Sequence, residues 1–505
     1  MSMSKGSGKL IFKTVFSVSF LLLLAKILGF AKQIVVANAF GATLDTDIIS
    51  LSQGIITDFE YLISQTMITA FIPIYILIKE TKEDEKHFVS NVMKIFILIS
   101  VAASILIFMF APFITGSIAP SFEGMAADSL THHIRIYAFS LVLLMLTAIF
   151  NALLKGNRSF LPGEITSVIQ SVVFILCVLT LGNVFSTQIL LISFFLYAVI
   201  NVIYLGFFSR KLWKIELRGF QIDENVKKLL RMIVPLLFGY AMLYINQLID
   251  KILASGLGDG TVTAMGYSAV LSNFITGFIC SICGIAFTYI SQNVAEKANE
   301  KAAAIVGYFI TFFVTCLIPV SVISVVNAKE IVTIVYGRGA FDTAAIKNSA
   351  YALMGYGSLF IPYVLRELFT RLQYSYQDTK GPMINSVVSI ICNIALSIIF
   401  SRFWGGLGIT VASSFSVLVC AVLNMVSSRK FNCYLKVSYF HKQLACWIAG
   451  GISCLFVNIL LGRYLRINHV LLRLIVLSAV SITIYAIVVS PVLVSVIRER
   501  KSIRK

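Results

Sequence analysis

The stretch LLLLAKILGFAKQIVVANAFGATLDTD, residues 21–47, decides the fold class of the chain. It begins as an apolar run long enough to cross a bilayer, yet it carries two lysines, Lys26 and Lys32, with Gly29 between them. A lysine near the bilayer centre costs about 2.5–3.5 kcal/mol, so it usually faces a polar cavity or a partner of opposite charge. The run therefore predicts a membrane helix that lines a polar cavity.

Acidic residues follow in the next apolar run, at Asp45, Asp47, Asp58 and Glu60. Two neighbouring spans that hold opposite charges predict a polar cavity inside a helix bundle. An alternative interpretation is that both lysines of the first run snorkel to one membrane interface, while the acids cap helix ends.

The composition extends this prediction to the whole chain. Of 505 residues, 58% are hydrophobic and 13% are charged, with a mean hydropathy of +0.91. A soluble protein carries about 25% charged residues. Because long apolar runs recur from end to end, we predict an all-α polytopic membrane protein. The net charge of +18 is then assigned to cytoplasmic loops, and no nucleic acid partner is expected.

Several kinds of chemistry are not expected. The pair Cys280-x-x-Cys283 lies inside an apolar helix without a second pair, so a metal or redox role is not predicted. The five histidines lie in loops or at helix ends, which leaves little for catalysis. No phosphate-binding P-loop occurs, so we expect neither a nucleotide nor another cofactor.

The apolar runs and their breaks predict about fourteen transmembrane helices. We place them at 9–38, 46–78, 88–117, 132–154, 161–182, 187–208, 229–256, 261–291, 302–326, 345–373, 382–402, 405–427, 442–462 and 470–497. Lysine and arginine concentrate in alternate loops, which predicts that both termini are cytoplasmic. The outer-loop exceptions are Lys329, Arg338, Arg463 and Arg466.

Segments of the chain recur at an offset of about 216 residues, as 69–75 against 285–291 and 160–173 against 379–391 illustrate. Six helices per repeat predict two parallel six-helix halves, which commonly enclose a substrate site. The predicted parts are an N-terminal lobe, a cytoplasmic linker, a C-terminal lobe, and two further helices with a basic tail: 1–208, 209–228, 229–428 and 429–505.

Four stretches in register resemble the MurJ-type lipid II flippases of the MOP exporter superfamily. They are AKILGFAKQIVVANAFGATLDTD (25–47), IDKILASGLGDGTVTAMGYS (249–268), YGRGAF (336–341) and YSYQDTKGP (374–382). The resemblance implies a V-shaped bundle around a central cationic cavity for the diphosphate-sugar head of a polyprenyl-linked precursor. It also implies that the last two helices form a groove for the lipid tail.

The resemblance implies roles for seven charged residues. Lys26 and Lys32 would hold the diphosphate, and three acids would tune or release it, namely Asp47, Asp58 and Glu60. The pair Asp250-Lys251 would add a second cation at the cavity mouth; alternatively, it is a charged helix end near the outer interface. Implied partners are a polyprenyl-diphosphate-linked saccharide, membrane lipids and cell-wall synthesis enzymes. The implied location is the bacterial cytoplasmic membrane.

The cavity cations depart from the family pattern. The two arginines of its first helix are Lys26 and Lys32 here, and the acid that follows is Gln33. The arginine of its second helix falls at Phe59 or Glu60, and Val270 stands in the helix-8 segment that often carries arginine. Despite these departures, the resemblance favours a non-enzymatic lipid II flippase. A flippase for a capsule or exopolysaccharide unit and an ion-coupled drug exporter of the MATE type remain alternatives, as does a non-transporting scaffold.

Overall fold

The computed structural model of the protein describes residues 5–81, 84–213, 223–431, 437–464, 467, 469–492 and 494. Over these residues the chain forms α-helices, one short 3-10 helix (Arg429–Phe431) and no β-strand, which confirms the all-α class. The predicted linker 209–228 lies partly outside the described residues, and the basic tail from 495 onward lies wholly outside them.

The helices follow the predicted apolar runs closely. In chain order they are α1 (Lys5–Phe40), α2 (Leu44–Thr81), α3 (Glu85–Ile118), α4 (Met125–Ala138), α5 (Ser140–Gly156), α6 (Leu161–Phe185), α7 (Gln188–Ser209), α8 (Glu224–Ser255), α9 (Thr261–Ala295), α10 (Asn299–Val326), α11 (Ala328–Tyr336), α12 (Thr343–Gly357), α13 (Phe360–Ser375), α14 (Lys380–Trp404), α15 (Gly406–Ser428), α16 (Val437–Tyr464) and α17 (Val470–Val488).

Within the described residues, twelve segments are long and apolar enough to cross a membrane. Two predicted spans are not among the twelve, namely 229–256, which is α8, and 345–373, which is α12 with α13. Both nevertheless contain a stretch without charged residues, 232–249 and 348–365. The chain is a multi-pass membrane protein, and the count of fourteen helices stays a prediction.

Two predicted spans are each broken into two helices. The span 132–154 divides between α4 and α5 at Phe139, where Ser104 of α3 donates a hydrogen bond to the carbonyl of Ala138 (2.7 Å). The span 345–373 divides between α12 and α13, where Ser414 of α15 donates to the carbonyl of Gly355 (2.8 Å). A break in a membrane helix frees backbone carbonyls, and in both places a serine from another helix satisfies one of them.

The described chain divides into two compact units. The first contains residues 1–263 with 339–341, and the second contains 264–338 with 342–505. In the first unit, α2 packs against α5, and α8 packs against α2 and α3. One apolar core joins α2, α3, α5, α7 and α8 around Phe71 and Phe88, and another joins α1, α2, α4, α5, α6 and α7 around Phe174 and Phe194.

In the second unit, buried polar bonds fasten α16 and α17 to α10. Gln443 of α16 accepts a hydrogen bond from Thr311 (3.1 Å), and Trp447 donates to Thr315 (2.9 Å). Tyr485 of α17 donates to the carbonyl of Thr315 (2.8 Å). These helices are therefore held by specific hydrogen bonds in addition to apolar packing.

Candidate functional site

An ion pair joins α2 and α8 in the first unit. The Nζ atom of Lys251 lies 2.6 Å from Oδ2 of Asp58, and the two side chains are 27% and 25% exposed. About one helical turn further along α2, the ring centre of Tyr61 lies 5.8 Å from that of Tyr244 on α8. Asp58 and Lys251, which the sequence analysis placed at the site for different reasons, are therefore in direct contact.

Gly54 makes room for this ion pair. It lies one helical turn before Asp58 on α2, and a Cβ atom there would come within 2.9 Å of the Lys251 Nζ. That approach is too close for a nonbonded contact, so any larger residue would push the ammonium group away. The glycine therefore allows the lysine to lie along the surface of α2.

Asp58 of this ion pair lies well inside the candidate membrane span α2, whereas Lys251 lies four residues before Ser255, the last residue of α8. Asp58 is fourteen residues after Leu44, the first residue of α2, which places it about 21 Å along the helix axis. Ionisable residues at such depth are costly unless they are paired or face water. A quarter of each side chain remains accessible, so the pair is also not sealed from its surroundings.

Asp47 lies apart from this ion pair and contacts the start of α9. It is fully buried and accepts a hydrogen bond from the backbone N–H of Thr263 (2.7 Å), in the first turn of α9. The hydroxyl groups of Ser50 and Thr263 lie 3.2 Å apart beside it. A carboxylate that accepts from a first-turn N–H stabilises a helix N-terminus. In this conformation Asp47 holds the start of α9, and its contact with a cargo stays a prediction.

Residues 339–341, the end of the YGRGAF stretch, contact the end of α1. The backbone N–H of Ala340 donates to the carbonyl of Asn38 (2.9 Å). Gly339 has a φ of +60°, and a Cβ there would lie 2.2 Å from the same carbonyl oxygen. Only glycine suits both the left-handed backbone and the close approach. The motif thus fixes the end of the helix that carries Lys26 and Lys32.

Lys32 has an aromatic neighbour in place of an ionic one. Its Nζ lies 5.0 Å from the centre of the Phe174 ring on α6, and the side chain is half-buried. Among the described residues no carboxylate lies within ion-pair distance of it. Lys26 is exposed on α1, about 9 Å away along the axis and on a different side of the helix. The structure does not bring the two lysines together on one face.

Glu60 lies near Tyr197, an aromatic neighbour of Phe174. It is half-buried on α2 and within electrostatic range of Tyr197 on α7, whose ring centre lies 6.0 Å from that of Phe174. No ion pair of Glu60 is found within the described part of the chain. These contacts define one polar and aromatic region, which we call the α1–α7 region; it contains Lys32, Phe174, Tyr197 and Glu60.

Asp250, the neighbour of Lys251 on α8, is half-buried.

The second unit contains its own charged group on α13. Glu367 bridges Arg366 (2.8 Å) and Arg371 (3.3 Å). Arg371 also lies 3.4 Å from the Cys280 sulfur. This group therefore contains two arginines and one carboxylate, which leaves one positive charge in excess.

Comparisons with known proteins identify the family. A sequence model described as "Lipid II flippase MurJ" matches residues 36–475. The probable lipid II flippase MurJ of Vibrio cholerae is 26% identical over 448 residues, which cover 83% of this chain and 82% of that protein. The corresponding protein of Rickettsia prowazekii is 24% identical over 464 residues, with coverages of 89% and 88%.

Solved structures show the same fold. A lipid II flippase MurJ in an inward closed conformation superposes with a TM-score of 0.79 at 20% identity, covering 94% of this chain and 99% of that one. An inward-facing MATE family transporter of the MOP superfamily gives 0.67 at 13% identity, with coverages of 82% and 97%. From the family match over most of its length, the chain belongs to the MurJ family of lipid II flippases, which are transporters and not enzymes.

Proposed function

We propose that this protein translocates lipid II, an undecaprenyl-diphosphate-linked saccharide, from the inner to the outer leaflet of the cytoplasmic membrane by alternating access. Membership of the family, matched over residues 36–475, supports the cargo. Lys32 supports the mode of binding, since it is a cation inside a membrane helix with no carboxylate partner among the described residues. A diphosphate is the kind of partner such a cation requires.

The other predicted site residues take roles around Lys32 in this proposal. Lys26 adds a second cation on α1, and Glu60 tunes the charge of the α1–α7 region. Asp47 and Asp250 affect the site indirectly, by positioning α2 and α8, the helices that carry them. The membrane potential, worth about 2.3 kcal/mol per charge per 100 mV, is one source of energy for moving the charged head. Cell-wall synthesis enzymes remain a predicted class of partner.

The proposed topology has fourteen helices and two cytoplasmic termini, with the lobes 1–208 and 229–428 followed by helices for the lipid tail at 429–505. Single cysteines placed in the otherwise cysteine-free protein test it. Labelling of intact cells with an impermeant reagent should reach the 327–343 loop, and it should miss 209–228, 374–380 and the tail after Arg498. An accessible tail in intact cells would contradict an even number of spans.

Complementation tests the cargo. Expression of this chain in a strain depleted of its lipid II flippase should restore growth. Failure to restore growth with an inserted, folded protein would contradict the proposal. Restored capsule or exopolysaccharide export in a strain that lacks that flippase would then favour the alternative cargo.

A further inference from the structure

The ion pair between Asp58 and Lys251 has features that a purely structural pair does not need. Asp58 lies about 21 Å along α2 from its first residue, within a candidate membrane span, yet about a quarter of each of the two side chains is exposed. A pair that only fastened α2 to α8 could be replaced by apolar residues of similar volume without a loss of stability. The accessible position indicates that another charged group can reach it.

Lys251 has capacity for such a group. An ammonium group has three N–H donors, and among the described residues only Asp58 accepts from it. Gly54 leaves the space on α2 in which the ammonium lies. The lysine therefore has unused donors and an open approach, while its charge is balanced by a single carboxylate.

A diphosphate is a stronger acceptor than that carboxylate. It carries more negative charge and more oxygens, and it bonds to ammonium groups through the same kind of charge-assisted hydrogen bond. When no anion is present, an unpaired ammonium inside the membrane would be costly, and Asp58 removes that cost. Asp58 can thus stabilise the empty state without blocking a more highly charged anion.

We propose that Asp58 is an internal counter-ion that neutralises Lys251 in the empty transporter and yields it to the diphosphate of the cargo. Lys251 then binds the cargo directly, while Asp58 is a positioning residue that sets how tightly the diphosphate is held. When Asp58 recovers the lysine, it promotes release. This inference rests on the proposed function for its cargo, but the exchange of one anion for another can be measured separately.

Binding of farnesyl diphosphate to the purified full-length protein tests the exchange. This probe carries a diphosphate and an isoprenoid chain but no sugar. We expect Asp58→Asn to bind it about tenfold more tightly than the original protein, and Lys251→Gln to bind it about tenfold more weakly. The double variant should bind it more weakly than Asp58→Asn, because the gain from removing Asp58 requires the lysine that it frees.

A matched control is Asp45→Asn, which removes the same charge from an exposed position on the same helix. It should leave the affinity unchanged, which separates local competition from a general change in charge. Thermal unfolding of each variant verifies that it is folded. Unchanged or weaker binding by a folded Asp58→Asn variant would overturn the inference, as would the absence of farnesyl diphosphate binding to both the original protein and Asp58→Asn.

Flipping of lipid II by the same preparations separates this inference from the proposed function. Tighter farnesyl diphosphate binding by Asp58→Asn without lipid II flipping by the original protein supports the exchange and contradicts the cargo. Lipid II flipping without tighter binding by Asp58→Asn supports the cargo and overturns the exchange. If both hold, Asp58→Asn should also flip lipid II more slowly, because release is slowed.

Discussion

Two lysines inside the first unit are stabilised in different ways. Lys251 contacts the carboxylate of Asp58, whereas Lys32 lies over the ring of Phe174 with no carboxylate within ion-pair distance among the described residues. A cation over an aromatic ring gains about 0.5–2 kcal/mol and keeps its charge available. In the proposed exchange, Lys32 keeps its charge available to a ligand at all times, whereas Lys251 shares its charge with Asp58 until a stronger anion binds.

We expect the largest effect on lipid II flipping from removing the charge of Lys32. Lys32→Ala should reduce lipid II flipping at least tenfold, because it removes a charge-assisted hydrogen bond worth about 1.5–3 kcal/mol. Lys32→Arg should retain more activity than Lys32→Gln, since only arginine keeps the charge. Flipping assays on proteoliposomes measure both. Full activity of a folded Lys32→Ala variant would favour the interpretation in which Lys32 only snorkels.

Lys26→Ala should have a smaller effect than Lys32→Ala. Both lysines were predicted to hold the diphosphate, but Lys26 is exposed and lies on another side of α1. Complementation at graded expression levels compares the two variants. An effect of Lys26→Ala that exceeds that of Lys32→Ala would place the binding face of α1 on the side that carries Lys26.

The paired lysine should affect stability more clearly than the unpaired one. Lys251→Ala leaves Asp58 without its counter-ion, so the protein should unfold at a lower temperature, with a loss of about 1–3 kcal/mol. Removing both charges in Lys251→Ala/Asp58→Ala should restore part of this loss. Lys32→Ala should change the unfolding temperature less. A double variant as unstable as the sum of its singles would show that the two residues do not interact.

Gly54→Ala tests the space beside the ion pair. The added methyl group would meet the Lys251 ammonium at 2.9 Å, so the pair should loosen and the unfolding temperature should fall modestly. Gly116→Ala on α3 is the control, because nothing lies within 4 Å of its Cβ position. Equal unfolding temperatures for the two variants would show that Lys251 moves aside without cost.

The smallest effect concerns an ion pair outside the membrane spans. Asp378, in the loop before α14, contacts Lys430 (2.7 Å), and the hydrogen bond from Lys430 lowers the pKa of the aspartate. A lowered pKa means that the stabilisation is complete above the ordinary value of about 3.9 and is lost only as the pH falls through the folded-state value. Asp378→Asn should therefore lower the unfolding temperature slightly and equally at pH 5.5 and pH 8. A difference that disappears at pH 5.5 would contradict the lowered pKa.

The sequence predicted the helices well because membrane spans depend on long apolar runs, which are local. It missed the breaks at Phe139 and between α12 and α13, since the apolar pattern continues through both and the stabilising serines, Ser104 and Ser414, come from other helices. It also placed the short helix α11 (Ala328–Tyr336) in an outer loop.

The candidate site was predictable in composition but not in pairing. Asp58 and Lys251 stood out because charges in apolar runs are costly, yet their contact joins positions 193 residues apart. Gly54, one turn before Asp58, was the only local signal of the close approach. Asp47 stood out for the same reason as Asp58, but its bond to the backbone of Thr263 depends on how α2 meets the start of α9, which no local pattern specifies.

The most direct test of the account is lipid II flipping by the purified protein in proteoliposomes, followed as the exposure of the head group in the outer leaflet. The account predicts that the original protein exposes lipid II, that Lys32→Arg does so at a reduced rate, and that Lys32→Ala reduces exposure at least tenfold. Exposure of lipid II that is equally fast with Lys32→Ala would contradict the binding site. No exposure by a folded, correctly inserted original protein would contradict lipid II as the cargo.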